Sequence, residues 1–260
     1  MSSLLSLVRN EQMKIYSRTR TWIMLGLLVF LVLAMGILMK YKLETVMPMS
    51  HALEFMSSAQ MLASFITICT VIIAGDIVAS EFSWGTVKLL LIRPASRGKI
   101  LFSKYLSVLL FLLTMLLLLF IVSYFTGLIL FGMGGAVAPD NSLPVLMRGY
   151  GLKAVDILMT ATLAFMISSV FRSSSLAIGL SIFLMFTSGT AMVVLVSLRY
   201  TWAKYLLFAN TNLSPYFEGG GAPLMEGMTL GFSLIMLVLY WLVFYGISWG
   251  VFTKRDVAGS

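Results

Sequence analysis

A chain of 260 residues, 60% hydrophobic and only 11% charged, has too few polar groups to cover the surface of a soluble globule. It is expected to be an integral membrane protein. The net charge of +8 reads as the excess of Lys and Arg that bilayer proteins gather at their cytoplasmic ends, so no nucleic-acid partner is expected, and the single cysteine, Cys69, excludes an intrachain disulfide and a thiolate ligand set.

Residues 1–20 place Leu4, Leu7, Val8 and Ile15 on one helical face, with Arg9, Glu11, Lys14 and Arg18 projecting elsewhere. That is the pattern of a cytoplasmic helix lying in the membrane interface; the plainer alternative is a solvated basic N-terminus. A helix needs about 20 apolar residues to cross the hydrocarbon core. Six stretches qualify, at residues 21–39, 53–78, 100–131, 154–171, 176–198 and 229–252. They lack the alternation of a barrel strand and are too long for one, so the fold class is an all-α integral membrane protein. The first stretch ends in Leu38-Met39-Lys40 without a small-residue cleavage site, which makes it a retained helix rather than a signal peptide. The third exceeds the bilayer and is expected to tilt or protrude.

Orientation follows from the basic residues. With the N-terminus inside, Arg9, Lys14, Arg18, Arg20, Lys88, Arg93, Arg97, Lys99, Lys104, Arg172, Lys254 and Arg255 are cytoplasmic. Lys40, Lys42, Arg148, Lys153, Arg199 and Lys204 are then outside, half as many. Both termini are therefore expected in the cytoplasm.

Between the second and third stretches lies residues 79–99, an amphipathic segment. As a helix it puts Trp84, Val87 and Leu91 on one stripe, with Glu81, Thr86 and Lys88 largely away from it. Arg93-Pro94 ends that helix, since proline disfavours helical geometry in the preceding residue, and Ser96, Arg97 and Lys99 are expected to form a basic turn. A short cytoplasmic helix held between two spans can transmit a push from a partner. Spacing alone equally allows a helix resting on anionic lipid headgroups through Lys88, Arg93, Arg97 and Lys99.

The run Glu81-Phe82-x-x-Gly85-Thr86-x-Lys88-Leu89-Leu90-Leu91-x-Arg93-Pro94-x-Ser96-Arg97, followed by Lys104-Tyr105, resembles the permeases of type-2 ATP-binding cassette (ABC) exporters. The likeness extends through most of the chain as six spans, cytoplasmic termini, an N-terminal interfacial helix and a broken outer segment before the last span. It implies that residues 79–99 are the coupling helix, docking into a cleft on a separate ATPase subunit. Glu81, Phe82, Gly85, Thr86, Lys88, Pro94 and Arg97 become docking and hinge positions. Gly85 permits close approach, Phe82 or Trp84 fills a pocket, and Glu81 pairs with a basic residue of the partner. The resemblance also implies a second permease copy, as homodimer or heterodimer, and a bacterial plasma membrane. No phosphate-binding motif is present: Gly98-Lys99 lacks a glycine five positions before Gly98 and is followed by Ile100. ATP and magnesium would thus be handled by the partner ATPase, and this chain is expected to carry neither a cofactor nor catalysis.

Residues 199–228 are too polar and too rich in breakers to span, yet hold Trp202, Tyr205, Leu206, Leu207 and Phe208 before Asn210, Pro215 and the glycines at 219–221. A re-entrant outer hairpin and an aromatic belt followed by an ordinary loop both fit. Among charges within the stretches, Asp76 and Glu54 are expected to reach water at opposite ends of the second helix, and Asp156 to pair with Lys153 at i−3. Gly246-x-x-x-Gly250 is a weak signal for close helix packing. His51, the single histidine, can neither activate a serine within a span nor complete a zinc site, and reads as an outer-loop residue.

The chain is thus expected to be an exporter permease coupling ATP hydrolysis by a partner to extrusion of an amphipathic substrate such as a peptide antibiotic, drug or lipid. The alternatives are an ion-coupled secondary carrier, for which a midplane carboxylate or inverted repeat would speak, and a scaffold or immunity protein that does not transport.

Overall fold

The computed structural model describes residues 4–42, 49–83, 96–134, 139–171, 173–217 and 221–254. These residues contain no strand, and six helical segments are long and apolar enough to cross a membrane. Helix α1, Leu4–Tyr16, precedes the first span, α2, Thr19–Tyr41. The second span, Ala52–Ser83, is built from α3, Ala52–Ala59, a 3-10 turn at Gln60–Leu62, α4, Ala63–Asp76, and α5, Ala79–Ser83. Then come α6, Arg97–Phe131, α7, Leu143–Val170, and α8, Ser174–Ser197. A short α9, Leu207–Asn210, lies between 3-10 turns at Thr201–Tyr205 and Ser214–Tyr216, before the last span, α10, Leu230–Lys254.

Two boundaries differ from expectation for local reasons. The hydroxyl of Ser96 accepts the backbone N–H of Lys99 at 3.4 Å and caps α6, so Arg97 and Lys99 belong to its first helical turn rather than to a basic turn before it. Helix α7 begins at Leu143 rather than near 154, with a proline in its first turn. Residues 143–153 are helical although Gly149, Gly151, Arg148 and Lys153 make them too polar to read as a span. His51 is buried and caps α3, its Nδ1 accepting the N–H of Leu53 at 3.1 Å.

Helix α4 is the centre of the bundle and packs against α6, α7 and α8. The most apolar stretch of the second span is 61% buried, against 17% for α2, 11% for α8 and 17% for α10. The last three therefore present side chains such as Phe30, Phe183 and Leu239 outward, as lipid-facing helices do. Cys69 is buried within the α4 core. Among the described residues, nothing lies within 4 Å of where a Cβ on Gly246 or Gly250 would stand.

Helices α3 and α6 run together because Gly127 has no side chain. A Cβ there would stand 2.8 Å from the carbonyl oxygen and 3.1 Å from the Cα of Ala52, and Gly132, at φ +74°, ends α6 where its carbonyl accepts the Ala52 amide at 2.9 Å. Gly127→Ala is expected to destabilise the fold by about 1–3 kcal/mol, because backbone must move. Gly26→Ala, in open space within α2, should leave the unfolding midpoint in detergent unchanged or raise it slightly, and circular dichroism melts compare the two.

Candidate functional site

The sequence points to residues 79–99, and the structure describes both roots of that segment. Trp84, Gly85, Thr86, Lys88 and Pro94 lie outside the described residues. At the first root α4 gives way to α5, and the Ser168 hydroxyl of α7 accepts the freed amides of Val78 and Ala79 at 3.2 and 3.0 Å. Glu81 is then turned into the protein. Its Oε1 accepts from Lys14 Nζ at 2.7 Å and from Lys104 Nζ at 3.0 Å, so its charge is met within the chain rather than held out for a partner's basic residue.

The same two lysines hold Glu11, whose Oε1 accepts from Lys14 at 2.9 Å and Oε2 from Lys104 at 2.8 Å. Two glutamates and two lysines thus join α1, α5 and α6. Lys104 is buried with a side chain only 1% exposed; an ammonium so placed is tolerated only because two carboxylates take its donors. Glu11, expected on the outward face of α1, is on the buried one beside Leu7, Val8 and Ile15. Burial pushes its carboxyl up, but Lys104 and Lys14 outweigh that and hold it below the ordinary 4.5. For Lys14 burial acts downward, and Glu81 and Glu11 outweigh it and raise the ammonium above the ordinary 10.5.

Asp76 extends the cluster. Rather than reaching water it is buried, accepting from Arg18, Arg20 and Ser174, and so ties the α1–α2 junction to the end of α4 and the start of α8. The cavity among these groups measures about 30 Å³, too small for a solute, which marks the cluster as a joint.

The C-terminal end of α10 closes over both roots. Phe82 packs edge-on against Phe252, with ring centroids 6.4 Å apart. Arg97 donates to the Thr253 carbonyl at 3.0 Å, and a Cβ on Gly98 would stand 3.0 Å from Trp249 Nε1. The segment's two ends are therefore fastened to α1, α6 and α10.

At the far end of α4 is a second concavity, of about 680 Å³. Ile68 in its wall and Asp76 in the cluster are eight residues apart, about 12 Å along a helix. Its lining comes from α4, α7, α8 and from residues within 208–216 and 221–224. Residues 201–216 are held over it by Asn210, whose amide donates to the carbonyls of Lys204 and Leu206 at 2.8 and 2.9 Å and whose Oδ1 accepts from Ser233 of α10 at 2.9 Å. Asp156 lines this cavity. The ion pair expected with Lys153 does not form among the described residues.

Sequence reasoning singled out Glu81, Phe82 and Arg97 for contact with a partner, whereas the structure engages them within the chain, and it missed Glu11 and Lys104 as a unit. The available signal was Lys104 itself, a cation inside an apolar run with no acid near it in sequence.

The chain belongs to the family described as "Protein of unknown function (DUF2705)", whose profile matches residues 23–258. The "Uncharacterized protein YhcI" of Bacillus subtilis (strain 168) is 38% identical over 98% of this chain and 100% of its own length. The "Uncharacterized membrane protein YdbK" of the same organism is 29% identical over 94% of this chain and 99% of its own. With the six apolar helices, these relatives establish a multi-pass membrane protein.

Lys104→Met strands two buried carboxylates beside Lys14 alone and is expected to cost about 3–5 kcal/mol. The triple change Lys104→Met, Glu11→Gln, Glu81→Gln should recover most of that loss in detergent unfolding. Because Glu11 titrates below 4.5 when folded, its stabilisation is present above that pH and is lost as pH falls through the folded-state value, so Glu11→Gln should flatten the acid limb of the stability profile. Lys14, raised above 10.5, contributes fully below that pH and loses its contribution as pH rises beyond it.

Proposed function

We propose that this chain is the membrane-spanning permease subunit of a type-2 ABC exporter, working as a dimer with a separate ATPase and extruding an amphipathic substrate. The run from Glu81 to Tyr105 carries the reading. The fastened roots support it: a coupling segment transmits force only if its ends cannot slip, and here one root is ionic and the other is locked to α10.

In this reading residues 79–99 form the cytoplasmic coupling segment. Trp84, Gly85, Thr86, Lys88 and Pro94 supply the docking and hinge positions. Glu81, Phe82 and Arg97 act behind them, carrying displacement into α1, α6 and α10. Helix α1 lies in the cytoplasmic interface, residues 199–228 form the re-entrant outer segment, and both termini are in the cytoplasm of a bacterial cell. The ATPase binds ATP and magnesium, and energy enters through contacts that differ between two membrane conformations.

A second reading has one observation in its favour. Asp156, a carboxylate in a span and lining a cavity, has the placement an ion-coupled carrier needs.

Vanadate-sensitive ATP hydrolysis in proteoliposomes containing the full chain and a candidate ABC ATPase tests the first reading. The wild-type chain is expected to bind the ATPase and change its turnover. Gly85→Trp should weaken the partnership at least about tenfold while the unfolding midpoint stays put. Absence of binding and of any change in turnover, with flux driven instead by a proton or sodium gradient, overturns the ABC reading in favour of the carrier.

A further inference from the structure

The large cavity has a composition that selects its occupant. About 680 Å³ lies within the range of small-molecule sites, and its walls combine three kinds of group. Ile68, Met185, Phe186 and Phe208 supply apolar and aromatic surface, and Thr67 and Thr160 supply hydroxyls. These hydroxyls donate to the carbonyls of Ala63 and Asp156 within their own helices, at 3.0 and 3.1 Å. What they present to the cavity is therefore oxygen lone pairs. Among the described lining residues Asp156 is the sole charged group, and none is basic.

A carboxylate inside a membrane span is costly unless it meets water or a positive charge. Lys153, one turn earlier on α7, makes no ion pair with Asp156 among the described residues, and the Arg148 guanidinium lies over the ring of Phe217 at 5.1 Å. By contrast Asp76, Glu11 and Glu81 at the other end of the bundle are all paired. The protein thus pairs its buried acids at the joint and leaves Asp156, half-buried, at a cavity lined with aromatic side chains and hydroxyl oxygens.

We propose that this cavity binds an amphipathic organic cation, with Asp156 as its counter-charge and Phe186, Phe208 and Tyr216 contributing cation–π and stacking surface. The proposal names the substrate class of the permease and rests on that reading for transport alone; binding belongs to this chain and needs no ATPase. An anionic amphiphile of the same size is disfavoured, because the cavity would place its charge near Asp156 with no base among the described lining residues to offset it.

The test uses the purified full chain in nanodiscs of zwitterionic lipid, with tetraphenylphosphonium as probe and tetraphenylborate as its counterpart of matching shape and opposite charge. Wild type is expected to bind the phosphonium saturably and to bind the borate at least about tenfold more weakly. Asp156→Asn, which keeps the side-chain shape, should weaken phosphonium binding by about tenfold or more and narrow the preference between the two ions. Gly189→Trp, at a wall position where a Cβ meets nothing within 4 Å, should block phosphonium binding with Asp156 intact. Equal binding of both ions by wild type overturns the proposal, and that comparison stands even if a variant fails to fold. Unchanged phosphonium binding by folded Asp156→Asn also overturns it. Phosphonium binding without any response to an ATPase keeps the cavity and removes the ABC reading; ATPase coupling without charge-selective binding does the reverse.

Discussion

The fold depends on how the ammonium of Lys104 is neutralised. A charge 1% exposed inside an apolar helix costs several kcal/mol in desolvation, and only close, well-directed carboxylates offset that cost. Glu11 and Glu81 do so from 93 and 23 residues away in sequence, and this fixes where α1 and α5 stand against α6. Asp76 repeats the device with Arg18 and Arg20, fixing the α1–α2 junction against α4. Lipid offers helices little hydrophobic reason to choose among packings. Ionic geometry supplies the choice here: Lys104 accepts one arrangement of its partners, whereas Leu and Met surfaces accept many.

The consequence is a molecule with unlike ends. Around Asp76 and Glu81 the helix termini are cross-linked by charge, and α10 adds Phe252, Thr253 and Trp249 to the same end. At the other end of α4, the described groups around the large cavity are apolar and aromatic side chains, hydroxyls, the Asn212 amide and one carboxylate. What holds that end together is a set of neutral hydrogen bonds centred on Asn210 and Ser233. Neutral bonds of this kind contribute about 1 kcal/mol each.

The six spans are legible in the sequence because length and apolar content alone determine them. The start of α7 is not: Arg148, Gly149, Gly151 and Lys153 obey no apolar rule, and helix persists there with a proline in its first turn and with Leu146 and Tyr150 buried. Periodicity sorts residues by polarity and so puts Glu11 on the outward face of α1; its burial follows from Lys104, a tertiary partner that no local window contains. Asp76 and Asp156 depart from expectation in opposite ways. Asp76 stands at a span end, within apparent reach of water, and is paired inside. Asp156 has a lysine at i−3 and nonetheless faces a cavity, since helical spacing brings Lys153 within range without obliging its side chain to turn there. The geometry at the two roots of residues 79–99 is not legible, since Arg97 and Thr253 are 156 residues apart.

Helix α4 connects these two ends mechanically. Its last residue, Asp76, is gripped by Arg18, Arg20 and Ser174, and its first turns carry Ser64, Thr67 and Ile68 into the cavity wall. Beside Asp76, Gly75 lets the backbone of α8 approach: a Cβ there would stand 3.2 Å from the Cα of Ile178. A hydrogen-bonded helix is stiff along its axis, so α4 cannot shift at Asp76 without carrying Thr67 and Ile68 with it, and α8, which supplies Met185 and Phe186 to the same cavity, is engaged at the same level. The shape of the cavity is therefore tied to the position of the ionic joint. Under the permease reading, force arriving at residues 79–99 reaches that joint through Glu81 and needs no separate relay to change what the cavity holds.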